Sequence, residues 1–500
     1  MTRACFLGID VGTSGVKAVL VDAAGAVVAS ATTALQLQTP KPGWAEQDPE
    51  AWWQASVASI RKVLELHPGG VVSGIGISGQ MHSSVFLDAH GAVIRPALLW
   101  SDGRTTAECR EIIERVGGEA RLRELTCNPA LEGFTLPKIL WLRNHEPDAF
   151  ARLATILLAK DFVRYRLTGE LATEPSDASA TLMYDTAHMR WSTEVMDAVG
   201  LRSSILPKVG GSSEILGRVS LEASSLTGLT QGTPVVGGGA DNACGAAGVG
   251  VIAAGEAVTS WGTSGTVLAP VNEPIVDPLL RAHTFCHVAP NTWYLMGVVL
   301  SAGGAFAWFR DQLARDLVET GRANELLDAE AAAIAPGAEG VTFLPYLQGE
   351  RTPHRDASLR AAFVGLSLAH TRAHLTRAVL EGICFALRDS VSVLQGLGIS
   401  PAQLLVTGSG ARSPLVRQMQ ADVFGVPVCT VDREEGPAYG AALLAAAGVG
   451  AFPDLGVAVR ATLTRRTAQA YDSATRAAYT EPYRRFRTAI HAARVHVDRT

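Results

Sequence analysis

An α/β protein built from two related halves is the fold class this sequence predicts, and three observations predict it. The segment VGTSGVKAVLV at 11–21 is echoed by WGTSGTVLAPV at 261–271, so Gly-Thr-Ser-Gly stands between β-rich runs twice, half a chain apart. Around these runs, helix-period segments alternate with short apolar ones, the order of an α/β layout. The chain has 500 residues, 47% of them hydrophobic and 18% charged, which is more than one ordinary core uses and enough to fill two.

Taken in order, the first half opens on GIDVGTSGVKAVLVD (8–22): a strand ending near Asp10, a tight polar turn and a second strand. Asp48-Pro49-Glu50 supplies an N-cap, a proline at the first helical position and an acidic first turn. Trp52, Trp53, Val57, Ile60 and Leu64 follow as the apolar positions of that helix. Residues 371–396 predict a second long helix through Leu375, Val379, Leu380, Ile383, Phe385, Leu387 and Val391, and a third opens after Gly410 through Leu415, Val416, Met419 and Val423. The glycine-rich run around Asp241 (LTQGTPVVGGGADNACGAAG) reads as the join of the halves, giving domains over 1–245 and 246–500.

Net charge is −5, so no general attraction to nucleic acid or to an anionic membrane is expected. Arg484, Arg485, Arg487 and Arg494 alternate with Tyr483, Phe486, Ile490 and Ala493 and read as a solvated helix face. No apolar run reaches the ~18–20 residues that cross a bilayer, and Asp10 breaks the short apolar stretch in MTRACFLGID, a poor signal peptide. Seven cysteines without paired spacing read as reduced thiols, so a cytoplasmic location is expected.

Glycine-rich turns let amide hydrogens converge on an anion, as a polyphosphate requires. One Gly-Thr-Ser-Gly is ordinary turn chemistry; two copies, one beside Asp10, favour a nucleotide held between the halves. The sequence has no GxxxxGK[ST]. Gly74-x-Gly76-x-x-Gly79 lies inside an alternating strand pattern with no helix opening after it, which argues against a dinucleotide fold, and Ser14-Gly-Val-Lys17 lacks the companion motifs of a serine nucleophile. Gln80, Met81 and His82 follow a strand end and suit a small polyhydroxy ligand or a structural role; Asp102 and Arg104 suit an ion pair on a turn. Asp241, preceded by three glycines and an alanine and followed by Asn242, places a carboxylate where a ligand backbone can approach closely.

With these pieces together the sequence resembles the FGGY carbohydrate kinases, and within them the branch that acts on xylulose. GFTLPKILWLRNH (133–145) and AFVGLSLAHTRAHLTRAVLE (362–381) match the two family signatures. WAEQDPEAWW, SGQMHSSV, LLWSDGRT, GGGADNACGAAGVG, LPYLQGERTPH and GSGARSPLVRQMQAD look like that branch. The resemblance implies two ribonuclease H-like domains of the actin, hexokinase and Hsp70 ATPase type, with ATP in the cleft between them and D-xylulose deeper, mostly against the first domain. It implies Asp241 as catalytic base and Asp10 organising Mg²⁺ through water, with Thr13 and Ser14 in the first phosphate turn and Gly262 and Thr263 in the second. Gly303, Gly408, Gly410, Ala411 and Ser413 would hold adenosine; Gln80, Met81, His82 and Asn242 would contact the sugar. Trp261 and Ser409 depart from the commonest family pattern, and a homodimer is expected from the family. A kinase of another sugar on the same fold, or a non-catalytic sugar sensor or actin-like assembly protein, competes with this reading; retention of both Asp10 and Asp241 favours catalysis.

Overall fold

The computed structural model describes residues 4–433 and 435–494; the first three residues of the N-terminal stretch read above, and the last six of the second predicted domain, lie outside them. Among the described residues, the first sheet has seven strands. Ala4–Val11 pairs antiparallel with Gly15–Asp22, which pairs antiparallel with Val27–Ala34, while Val71–Gly79 joins the other side of Ala4–Val11 in parallel. Pro234–Val236 and the short Gly239–Ala240 continue in parallel on Val71–Gly79, and Ile215–Arg218 forms the far edge. The second sheet repeats this wiring. Val258–Trp261 pairs antiparallel with Gly265–Val271, which pairs antiparallel with Trp293–Val299, and Leu404–Gly408 lies parallel on the other side of Val258–Trp261, followed by Val428–Cys429. The eleven-residue echo is thus the visible trace of a repeated hairpin-plus-parallel-strand unit.

Helix Pro49–Leu66 forms as its signals predict. The Asp48 carboxylate accepts from the Glu50 amide, and Trp52, Trp53, Ile60 and Val63 are buried, the helix lying against Gly15–Asp22 and Val27–Ala34. The second predicted helix spans Arg372–Gly396 behind a capping box of Thr371 and His374. The third divides: Ser409–Arg412 is a single turn, and Ser413 restarts the chain as N-cap of Pro414–Phe424, its hydroxyl accepting from the Val416 amide. Near the C-terminus, Thr480–Ala489 buries Phe486 while Arg484 pairs with Glu481 in solvent, as a solvated helix face requires.

The line drawn at 245 falls within the helix Asp241–Ala247, and Pro437–Gly448, far into the second half, lies directly on Ala4–Val11 and Val71–Gly79 of the first sheet. Glycines permit that contact. A Cβ on Gly8 would stand 1.8 Å from the Ala438 carbonyl oxygen, and one on Gly76 would stand 2.0 Å from that of Ala441. Gly74 clears Val449 in the same way, where a Cβ would stand 2.8 Å from a methyl of that side chain. Two glycines of the run at 74–79 are therefore notches for a helix, which is why no dinucleotide turn follows them. The two helices that leave the ends of the two sheets, Asp241–Ala247 and Pro437–Gly448, also cross each other at Gly440 and Gly248.

All seven cysteines are buried, and none forms a disulfide among the described residues. Among the described residues no helix is long and apolar enough to cross a membrane.

Candidate active site

Asp10 and Asp241 come to one edge of the first sheet. Asp10 is in register with Ser78, and Ser78 with Gly239, so Asp10 and the Gly239-Ala240-Asp241 run mark the carboxyl ends of three parallel strands. Ligands of α/β sheets bind beyond such ends. Burial, and then the negative charge of Asp10, raise the Asp241 carboxyl to about 7; burial raises Asp10 to about 6, with the Ser78 hydroxyl and the Lys17 charge pulling the other way. The Asp10 charge thus reaches the Asp241 carboxyl, and the strand register brings both to one edge of the sheet. The Oδ1 atom of Asp241 accepts from the Asn242 amide (2.8 Å) and from Asn242 Nδ2 (3.0 Å). Asp10 Oδ1 is buried without a hydrogen-bond partner.

A buried polar network fixes the strand that carries Asp241. The Ala240 amide donates to Ser176 Oγ (2.9 Å), which donates to Glu174 (2.7 Å), which also accepts from Ser212 (2.8 Å). Lys160 compensates the charge, with Nζ 2.6 Å from Asp161, 3.4 Å from Asp177 and 3.6 Å from Glu174. Such a network defines one geometry when its members are satisfied.

Met81 and His82 line the site from the loop after Val71–Gly79. Asn242 Nδ2 lies 3.5 Å and the Tyr294 hydroxyl 3.8 Å from Met81 Sδ, which joins both domains at one sulfur. His82 has φ +67°, a left-handed conformation that its surroundings over-determine. Its carbonyl oxygen accepts from Lys138 Nζ (3.0 Å), Thr135 (3.2 Å) and Ser84 (3.2 Å). Its Nδ1 lies 2.6 Å from the Ala180 carbonyl, which can only accept, so Nδ1 carries the proton. Burial holds the imidazole well below the usual histidine range, hence neutral, and Nε2 is left as an acceptor.

Gln80 takes a different place from the one expected. Its Oε1 accepts from Thr13 Oγ1 (3.0 Å) and its Nε2 donates to Gln47 (3.3 Å), so it braces the first turn. The Thr13 hydroxyl, which also accepts from Trp100 Nε1 (3.0 Å), is spent on this frame, leaving the backbone of Thr13 and the exposed Ser14 to face a ligand. Carbonyls of the turn are bonded away from it, Thr13 O to Gln47 Nε2 and Ser14 O to the Leu35 amide. The second turn repeats the arrangement, with Gly262 O accepting from Gly303 N (2.8 Å) and Thr263 O from Ala302 N (3.0 Å) and Gly304 N (2.9 Å). Gly303 serves this closure, since a Cβ there would stand 2.4 Å from Gly262 O.

Gly408 pairs with Trp261 just as Gly79 pairs with Val11. Gln80-Met81-His82 and Ser409-Gly410-Ala411 therefore occupy equivalent loops of the two domains. The two departures from the family pattern pack on one another. The Trp261 ring is buried beneath Gly410, where a Cβ would stand 2.5 Å from the indole, and Ser409 Oγ donates to Trp261 O (3.0 Å). Ser413 is occupied as a helix cap. Ala411 borders a groove of about 490 Å³ whose walls carry Arg412, Arg417 and Arg466, a volume typical of small-molecule sites.

Homology now adds to this geometry. Residues 5–248 match the N-terminal domain, and 257–449 the C-terminal domain, of the FGGY family of carbohydrate kinases. The chain belongs to that family. This FGGY kinase is 42% identical over 460 residues to the xylulose kinase of Lactococcus lactis subsp. lactis (strain IL1403), covering 91% of its own length and 90% of that protein. It superposes on the crystal structure of xylulose kinase from Rhodospirillum rubrum with a TM-score of 0.88 at 32% identity, covering 98% of each chain. The gluconate kinase from Lactobacillus acidophilus gives a TM-score of 0.90 at 26% identity, covering 99% of each chain, so the fold alone does not select the sugar.

Several residues of this FGGY kinase escaped the reading of its sequence. Lys138 is fully buried in the apolar first two turns of the helix Thr135–His145 and donates to His82 O and Gly133 O (2.7 Å); a lone lysine inside FTLPKILWL was the available signal. Gln47, Trp100 and Tyr294 carried no local signal. Asp102 and Arg104 form the ion pair that a turn suggests, at 2.7 Å, with the guanidinium stacked 3.5 Å over the Trp44 ring. Replacing Lys138 by Met is expected to raise the KM for sugar by roughly tenfold through loss of the His82 geometry, the KM for nucleotide staying within about twofold; steady-state kinetics with each substrate varied in turn measure this.

Proposed function

We propose that the chain transfers the γ-phosphoryl group of ATP to the C5 hydroxyl of D-xylulose, giving D-xylulose 5-phosphate and ADP. The observation that carries the reaction type is the pair of half-buried carboxyls, Asp10 and Asp241, at the carboxyl ends of the two parallel strands that flank Val71–Gly79. The substrate rests on the relatives named above as xylulose kinases.

Asp241 orients the acceptor hydroxyl and takes its proton as the new O–P bond forms and the bond to ADP breaks. Phosphoryl transfer has a loose, charge-spread transition state, so alignment and electrostatic stabilisation outweigh basicity. Gly12 N closes the first turn on Gly15 O; the other amides of the two Gly-Thr-Ser-Gly turns face the phosphates, the carbonyls of Thr13, Ser14, Gly262 and Thr263 being bonded elsewhere. Met81 forms an apolar wall, His82 Nε2 accepts from a sugar hydroxyl and Asn242 offers its Oδ1. Gly408, Gly410, Ala411 and the arginine-walled groove support the adenosine side.

The buried, unpartnered Asp10 Oδ1 fits a role beside Mg²⁺, a hard cation that takes oxygen donors and retains water. Among the described residues no three His, Cys, Asp or Glu side chains gather as ligands, so Asp10, water and nucleotide phosphates would hold it. When bound, Mg²⁺ neutralises phosphate charge.

A panel of D-xylulose, D-ribulose, gluconate, glycerol and pentitols with coupled ADP detection tests the assignment. The highest kcat/KM is expected for D-xylulose; a higher value for another acceptor replaces the substrate, and nucleotide binding without sugar-dependent ADP formation removes the kinase reading.

A further inference from the structure

Arg351 belongs to a loop of the second domain, yet its tip lies in the first. A Cβ on Gly133 would stand 3.0 Å from Arg351 Nη2. At its root the loop is pinned on both sides. Glu350 accepts from the amides of Leu300 (2.9 Å) and Arg351 (2.8 Å), and Thr352 exchanges hydrogen bonds with both backbone groups of Val298, each at 3.0 Å. The chain after Leu300 continues into Ala302 and Gly303, whose amides close the second phosphate turn.

The half-buried guanidinium, though it feels the charges of Glu132 and Glu350, forms no ion pair and no side-chain hydrogen bond among the described residues, which leaves its donors for a ligand. Gly133 O accepts from Lys138 Nζ, which also donates to His82 O, so the guanidinium lies at the His82 end of the pocket, and its charge disfavours protonation of His82 and Lys138; Asn242, bonded to Asp241, touches Met81 beside that end. A five-carbon acceptor with its C5 hydroxyl at Asp241 directs its other end toward His82 and Arg351. There the two side chains are complementary: Nε2 of His82 only accepts, and the guanidinium only donates. A 2-ketose offers both partners, a hydroxyl hydrogen and a carbonyl oxygen that only accepts; a pentitol has no such carbonyl.

We propose that Arg351 is a specificity-determining residue that donates to the carbonyl oxygen of a ketose and so distinguishes it from the corresponding alditols. This rests on the reading of the acceptor as a ketose. The test measures kcat/KM and equilibrium binding for D-xylulose and for xylitol and D-arabitol, the two alditols formed by reducing its carbonyl, in wild type, R351Q and R351K. With R351Q, kcat/KM for D-xylulose is expected to fall roughly 10- to 100-fold, mainly through KM, while affinity for the pentitols changes less than about threefold and the ketose preference collapses. R351K, which keeps a cationic donor, recovers part of the preference. Equal losses for ketose and pentitols, or an unchanged ratio with either variant, overturn the role of Arg351 alone. A wild type that phosphorylates no ketose overturns the substrate reading and this inference with it.

Discussion

Asp241→Asn is expected to lower turnover at least ~100-fold and, at pH 8, to raise the unfolding temperature of the free protein. General-base assistance is typically worth about 10²–10⁴-fold, and Asn can still orient a hydroxyl without taking its proton. The stability gain follows from linkage. Burial and the Asp10 charge raise the folded-state carboxyl to about 7, well above the ~3.9 of a free aspartate. Between those values the folded protein binds more protons than the unfolded chain, so stability falls as pH rises through the window, and the penalty is complete above about 7. A neutral amide removes the penalty and keeps the acceptor for the Asn242 amide. After discounting for the partial exposure of Asp241, the gain at pH 8 is about 1 kcal/mol, roughly 1–2 °C for a chain of this length, and vanishes near pH 4. Calorimetry at the two pH values with steady-state rates checks both halves; near-normal turnover removes Asp241 from the chemistry.

Gly440→Ala is the second large effect. A methyl group there would stand 1.9 Å from the Cys244 carbonyl oxygen and 3.0 Å from the Gly248 nitrogen, all backbone atoms that no rotamer change can move aside. The crossed helices must separate, and one of them begins at Asp241. Overpacking of this kind costs about 1–3 kcal/mol or more, so a fall of several degrees in unfolding temperature is expected. A loss of roughly tenfold or more in kcat accompanies it, because reacting groups tolerate little misplacement. Gly396→Ala, at the end of the helix Arg372–Gly396, meets nothing within 4 Å and serves as the control, with stability and rate unchanged.

The fold was legible wherever the signal was local. Asp48-Pro49-Glu50 opened its helix, the repeated Gly-Thr-Ser-Gly marked two equivalent hairpins, and the alternating VVSGIGISG formed a strand despite its glycine fingerprint. Long-range packing was not legible. The glycine-rich join around 241 looks like a linker in composition, but Gly248 in it, like Gly8 and Gly76, is a space cut for the distant helix Pro437–Gly448, while Gly237, Gly238 and Gly239 admit the close approach of Gly211, Ile77 and Val288. The same limit applies to the site. Asp10, Asp241, Met81 and His82 stood out by type and setting. The hydrogen bonds that occupy Gln80 and Thr13, and the lysine that holds His82 in its strained conformation, depend on partners that only the folded chain brings together.

The carboxylate proposed as base sits at the start of one of the two rods that cross at the seam of the molecule. For any swing of one lobe against the other about that crossing, displacement grows with distance from the axle, so the phosphate-gripping tips travel while the proton acceptor stays nearly still. In a molecule wired in this way, an opening of the lobes for exchange of reactants would leave the aim of the proposed base intact.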